Sequence, residues 1–248
     1  MVSDTDEKLF KDPAEDSIIE VRQLNQFYGE SHTLWDLDLS VPKGKCTCLM
    51  GRNGVGKTTL LQCLMGLQPV ESGHIIFNGE KIQDQIAEKR AGIGLGYVPQ
   101  GRQIFPQLTV GENLELGLFA RKDNIKKVPE FIFELFPVLK EMINRRGGDL
   151  SGGQQQQLAI GRALMINPKV LILDEPTEGI QPNIVQQIGD IITKLNKEMG
   201  ITVLLVEQKL PFARRVGDYF CIMERGKKVA IGEMSELNDD LVQKFLTV

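Results

Sequence analysis

The octapeptide Gly51-Arg52-Asn53-Gly54-Val55-Gly56-Lys57-Thr58 decides how the rest of the chain is read. It fits the pattern G-x-x-x-x-G-K-[ST] in the right setting, with the apolar strand-like run Cys46–Met50 before it and the helical run Lys57–Met65 after it. Glycines let the backbone curl so that successive N–H groups converge on phosphate oxygens. The helix that follows adds the positive end of its dipole. Lys57 is placed to reach the outer phosphates of a nucleotide, and the Thr58 hydroxyl to ligate Mg²⁺. The run Gly51 to Thr59, Val55 and Thr59 included, is therefore read as a nucleotide-phosphate site.

Outward from this loop, a second apolar strand ends in two acids, Val170-Leu171-Ile172-Leu173-Asp174-Glu175. Carboxylates at the C-terminal edge of a parallel sheet face the crevice where ligands bind. Asp174 is expected to hold Mg²⁺, and Glu175 to orient or deprotonate an attacking water. Val170–Leu173, the helical run 184–199 and Val203–Val206 form a strand–helix–strand unit, which implies a parallel sheet. Ala91–Gly96 carries alternating glycines without completing a dinucleotide fingerprint, and reads as a flexible entry to the strand ending at Tyr97-Val98.

Between these motifs lies Leu150-Ser151-Gly152-Gly153-Gln154, which opens a helix and offers a second anion-binding turn. One nucleotide already has its phosphate loop, so the second turn needs another customer. In that combination, residues 18–235 resemble the ABC ATPase family. The resemblance implies an α/β P-loop core, an antiparallel β-subdomain and a helical signature subdomain near residues 84–165. It also implies that Ser151, Gly152 and Gly153 reach the γ-phosphate of ATP held by a second ABC ATPase. On the same resemblance Tyr28 stacks on adenine with Phe27 beside it facing the core, and Gln100 senses Mg²⁺ and water. Gly101–Leu108 lines the groove that receives a helix of a membrane permease subunit.

Two positions depart from the family pattern. Gln208 stands where a histidine usually holds the γ-phosphate, and glutamine replaces the usual aspartate in Thr177-Glu178-Gly179-Ile180-Gln181-Pro182. Both departures resemble the branched-chain amino acid and urea importer branch. A neutral amide stabilises developing charge less than an imidazolium does. Gln100, Gln154, Phe136-Pro137-Val138-Leu139 and Arg145-Arg146-Gly147-Gly148-Asp149 look closest to the urea-type ATPases, with branched-chain amino acid import as the alternative.

Composition agrees with such a role. Hydrophobic residues make up 42% and charged residues 25%, ordinary for a globular protein. The net charge of −4 sits in residues 1–17, which hold six acids and two lysines and read as a flexible arm. The remainder has no basic excess, which argues against a nucleic-acid partner and against the rival reading, a non-transport ABC ATPase. No apolar run approaches the roughly 20 residues of a spanning helix. A secretory leader is not seen either, so the expected location is the cytoplasmic face of the membrane. Docking there is to permease subunits, with an extracytoplasmic solute-binding protein as an indirect partner. The four cysteines read as core residues, and His32 and His74 as surface residues in turns.

Overall fold

A computed structural model describes residues 16–121, 123 and 125–247 of the chain. All but the last two residues of the acidic segment 1–17 lie outside the described residues. Of those two, Ser17 opens the first strand. In chain order the elements begin with β1 (Ser17–Tyr28), β2 (Ser31–Pro42), β3 (Cys46–Met50), α1 (Lys57–Met65), β4 (Ser72–Phe77) and β5 (Glu80–Lys81). Then come α2 (Ala87–Gly92), β6 (Leu95–Val98), α3 (Val110–Glu115), α4 (Glu130–Leu135), α5 (Pro137–Glu141) and α6 (Gly152–Leu164). The chain continues through β7 (Val170–Asp174), α7 (Pro182–Lys197), β8 (Thr202–Val206) and α8 (Leu210–Val216), and ends with β9 (Tyr219–Glu224), β10 (Lys227–Glu233) and α9 (Asp239–Phe245). They divide into two compact units, residues 1–87 with 202–248, and residues 88–201.

In the first unit, β3 is buried at every position and lies between β8 and β9, parallel to both. β10 adds antiparallel to β9. Strands covered on both faces read as continuous apolar runs, and β3 and β8 do so. The four cysteines are buried and none is in a disulfide. A side-chain hydrogen bond with Cys46 and burial together push the Cys48 thiol well up. A separate antiparallel sheet runs in the order β2-β1-β4-β5. Its β4–β5 turn holds Asn78 at φ 49° and Gly79 at φ 84°, the left-handed pair expected of Asn-Gly.

β1 extends far beyond its apolar run Ile18–Val21. Its register with β2 shifts at four places, and Gln23, at φ 48°, lets the strand bulge and continue to Tyr28. Polar Arg22, Gln23 and Asn25 hide that continuation from an apolar pattern. His32 and His74 both lie in strands, not turns. Half-buried His32 stacks between Phe27 and Trp35, at centroid distances of 4.0 and 3.6 Å. Phe27 is therefore not a core residue: it is 37% exposed, on the outward side of the sheet.

In the second unit β6 and β7 pair in parallel, Leu95 opposite Val170 and Val98 opposite Leu173. The segment 91–96 is not a loose entry, because α2 occupies its first part and Gly94, at φ 108°, makes the turn into β6. A side chain at Gly94 would meet Lys169 at 3.1 Å. The helical part is built around α6. Gly161 on that helix faces Leu114, Leu139 and Ile132, so the small residue lets α3, α5 and α4 approach one helix face. α7 buries Ile188, Ile192 and Leu195, a stripe at helical spacing.

Candidate functional site

The phosphate loop is shaped by three left-handed glycines, Gly51 at φ 144°, Gly54 at φ 78° and Gly56 at φ 103°. Two of them are also required sterically. A Cβ on Gly51 would stand 2.4 Å from the Met223 carbonyl oxygen, and one on Gly56 2.9 Å from Leu34. The Arg225-Gly226 turn braces the loop from β9 and β10: Gly226 donates its N–H to the Val55 carbonyl and accepts from Trp35. Gly56 is the N-cap of α1, so that helix begins at Lys57 as its sequence predicts.

Lys57 is 5% exposed, and its Nζ donates to the carbonyls of Gly51 and Arg52 at 2.7 and 2.9 Å. The ammonium is thereby held over the mouth of the loop. Thr58 is exposed and Thr59 buried in the first turn of α1. Tyr28 is 44% exposed and donates its hydroxyl to Gln62 of α1 at 3.2 Å, so its ring is anchored near the loop with a face open. This arrangement fits a nucleotide: a backbone curled at three glycines, a fixed cation and an exposed aromatic.

Gln208 joins the same group. Its Nε2 donates to the Asn53 side-chain oxygen at 2.7 Å. The N-cap of α8 is Lys209, the residue after Gln208. That backbone is fastened by Glu207, a residue missed in sequence. Its buried carboxylate accepts from the N–H groups of Gln208 and Lys209 at 2.8 and 2.9 Å. The clue was there, an acid directly after the apolar strand β8. Met50, Gly51, Arg52, Asn53, Glu207, Gln208 and Leu246 line a cavity of about 220 Å³.

The remaining candidates belong to the second unit. Asp174 ends β7 at 1% exposure. Burial, and then the charge of Asp174, pushes the Tyr97 hydroxyl well above its ordinary range. Glu175 is half-buried and left-handed at φ 50°, so the chain turns sharply between the two acids. Gln100 is exposed and donates to Glu178 at 2.9 Å.

Ser151 caps α6 in a capping box: its hydroxyl accepts from the Gln154 N–H, and the Gln154 side chain accepts from the Ser151 N–H. Both glycines that follow are closed in. A Cβ on Gly152 would meet the Arg102 guanidinium at 3.1 Å, and one on Gly153 would meet Ile184 at 3.0 Å. The Gly101–Leu108 segment is tied down by Asn113, which was also missed. Buried Asn113 accepts from the Phe105 N–H and donates to the carbonyls of Phe105, Leu108 and Thr109.

The pattern of the ABC transporter family matches residues 34–178, more than half of the chain. The chain belongs to the ABC transporter family. It is 43% identical over 208 residues to the high-affinity branched-chain amino acid transport ATP-binding protein BraG of Pseudomonas aeruginosa, covering 84% of this chain and 89% of that protein. It is 37% identical to the probable branched-chain amino acid transport ATP-binding protein LivF of Archaeoglobus fulgidus, over 87% of this chain and 92% of the relative. The fold of this ABC ATPase matches a dimeric ATP-binding cassette in a post-hydrolysis state bound to ADP and Pi, with TM-score 0.79 and 27% identity over 87% of this chain and 98% of that one. It also matches the ADP conformation of another ABC transporter cassette, with TM-score 0.80 and 29% identity over 92% and 97% of the two chains. The α/β cassette fold with an antiparallel sheet and a helical part is thus the one the motifs imply, and the ABC ATPase binds and hydrolyses nucleotide.

Proposed function

We propose that this chain is the ATP-hydrolysing subunit of an importer, working in a pair with a second ABC ATPase on membrane permease subunits. The observation that carries the paired reading is that the chain has two separate glycine-containing turns suited to an anion, one opening α1 and one opening α6. One ATP occupies the first; the second serves the ATP of the partner. Among the described residues no helix is long and apolar enough to cross a membrane.

In the proposed mechanism Lys57 neutralises the outer phosphates, Tyr28 stacks on the base, and Glu175 orients the attacking water. Ser151 and the N–H groups of Gly152 and Gly153 receive the γ-phosphate of the partner's ATP. Thr58, Asp174 and Gln100 each offer a side-chain oxygen, the kind of donor that suits Mg²⁺, and would hold the ion. Mg²⁺, when bound there, would neutralise charge on the departing phosphate.

For the solute, the functions of the two relatives support branched-chain amino acids. Gln100 and Gln154 support the second reading, urea or short amides, which resemblance of the sequence alone puts first. Calorimetry of the solute-binding protein encoded with this chain, titrated with leucine and with urea, distinguishes them.

The paired reading is tested by mixing Lys57→Ala subunits with Ser151→Arg subunits, each inactive alone. A mixed pair has one intact composite site, and ATP is expected to be occluded there. Occlusion no greater than in either parent refutes it.

A further inference from the structure

We infer that Arg102 is a positioning residue of the signature turn, adding a positive charge behind Ser151-Gly152-Gly153 for the γ-phosphate presented by a second copy. This rests on the paired reading above and gives a role at the signature turn to a residue that the sequence places only in the segment 101–108. The Arg102 guanidinium packs on Gly152, its Nη1 and Nη2 lying 3.1 and 3.2 Å from where a Cβ would stand. Nη2 also lies 3.8 Å from the corresponding position on Gly179, in the turn that follows Asp174-Glu175. One polar bond holds it, Nη1 to the Gln155 side-chain oxygen at 3.3 Å.

The backbone supports that placement at a cost. Gly101, Arg102 and Gln103 are consecutively left-handed, at φ 75°, 69° and 46°. Two of these are not glycine, and such strain persists only where surrounding contacts over-determine it. Those contacts come from α6 itself: besides Gln155, Arg162 of α6 donates to the Gln103 carbonyl at 2.7 Å and lies over the Phe105 ring.

Charge completes the case. Among the described residues Arg102 makes no ion pair, so no carboxylate neutralises it. A half-buried cation without a counter-charge, beside the positive end of the 13-residue helix α6, favours an anion at that turn. The turn opens onto a cavity of about 690 Å³ whose walls include Ser151, Gly152, Gly153, Gly179 and Ile184. Arg102 packs against Gly152 and acts through the field, which for a unit charge within about 12 Å is worth about tenfold at an effective dielectric of about 20.

The test compares full-length wild type with Arg102→Gln, Arg102→Lys and Ser151→Arg. ATPase rate, affinity for a fluorescent ATP analogue and melting temperature are measured for each. Arg102→Gln is expected to lower kcat about tenfold. Its affinity for the analogue should be unchanged, because that nucleotide is bound by the phosphate loop. Arg102→Lys, which keeps the charge and loses the fork, should recover at least about a third of the rate. A normal rate in Arg102→Gln with an inactive Ser151→Arg overturns the role of Arg102 and leaves the paired reading standing. Full activity in Ser151→Arg overturns both. Equal losses in the lysine and glutamine variants, with equally lowered melting temperatures, reduce Arg102 to a structural support and overturn the inference.

Discussion

Gln208 and Asn53, 155 positions apart, meet through a 2.7 Å hydrogen bond from the Gln208 amide to the Asn53 side-chain oxygen. The bond joins the second residue after β8 to the phosphate loop. A typical net hydrogen bond contributes about 0.5–1.5 kcal/mol. Gln208→Ala is therefore expected to slow ATP hydrolysis about two- to twelvefold. In Gln208→His the rate should rise as pH falls from 8 to 6, since the imidazole gains its charge below a pKa of about 6.5. A pH-independent rate in that variant would place the side chain away from the γ-phosphate.

The loop glycines should not be equivalent. Nothing lies within 4 Å of a Cβ on Gly54, so Gly54→Ala meets only left-handed strain. That strain is about 1–2 kcal/mol, a five- to thirtyfold loss of nucleotide affinity. Gly51→Ala adds a 2.4 Å collision with the Met223 carbonyl and should abolish binding. Equilibrium titration with a fluorescent nucleotide separates the two, and equal losses would contradict the loop geometry.

Glu175 combines a proposed catalytic carboxylate with a left-handed backbone at φ 50°. Glu175→Gln should stop turnover and leave nucleotide affinity within about twofold, since only a transition-state interaction is removed. Glu175→Gly should be equally inactive yet melt about 2–4 °C higher than the glutamine variant, because glycine relieves roughly 1 kcal/mol of strain. Scanning calorimetry reads the difference.

Asn113 makes four hydrogen bonds to the backbone of residues 105–109 from a fully buried position. Asn113→Leu keeps the volume and orphans the Phe105 N–H, since the three carbonyls keep backbone N–H partners, at a cost of about 1–3 kcal/mol. Urea unfolding should show that loss. A midpoint within error of wild type would mean that the segment does not depend on Asn113.

Three contiguous stretches, Gly51–Thr58, Val170–Glu175 and Ser151–Gln154, made the family and most of the candidate site legible before any coordinates. Their information is local. Glycines specify left-handed backbone, Ser151 specifies a helix start, and an apolar run ending in acids specifies a buried strand with a polar edge. The helix at Lys57–Met65 accordingly falls where expected. Tertiary structure alone decided the rest, because side-chain partners are set by register and by meetings between distant segments. Phe27 was taken as a core residue and lies outside, since the bulges in β1 put it opposite His32. Arg102 looked like a loop residue until α6 brought Gly152 under its guanidinium. Asn113, Glu207 and the Gln208–Asn53 pair follow the same logic. A buried polar group must find its hydrogen bonds somewhere, and only the folded chain says where.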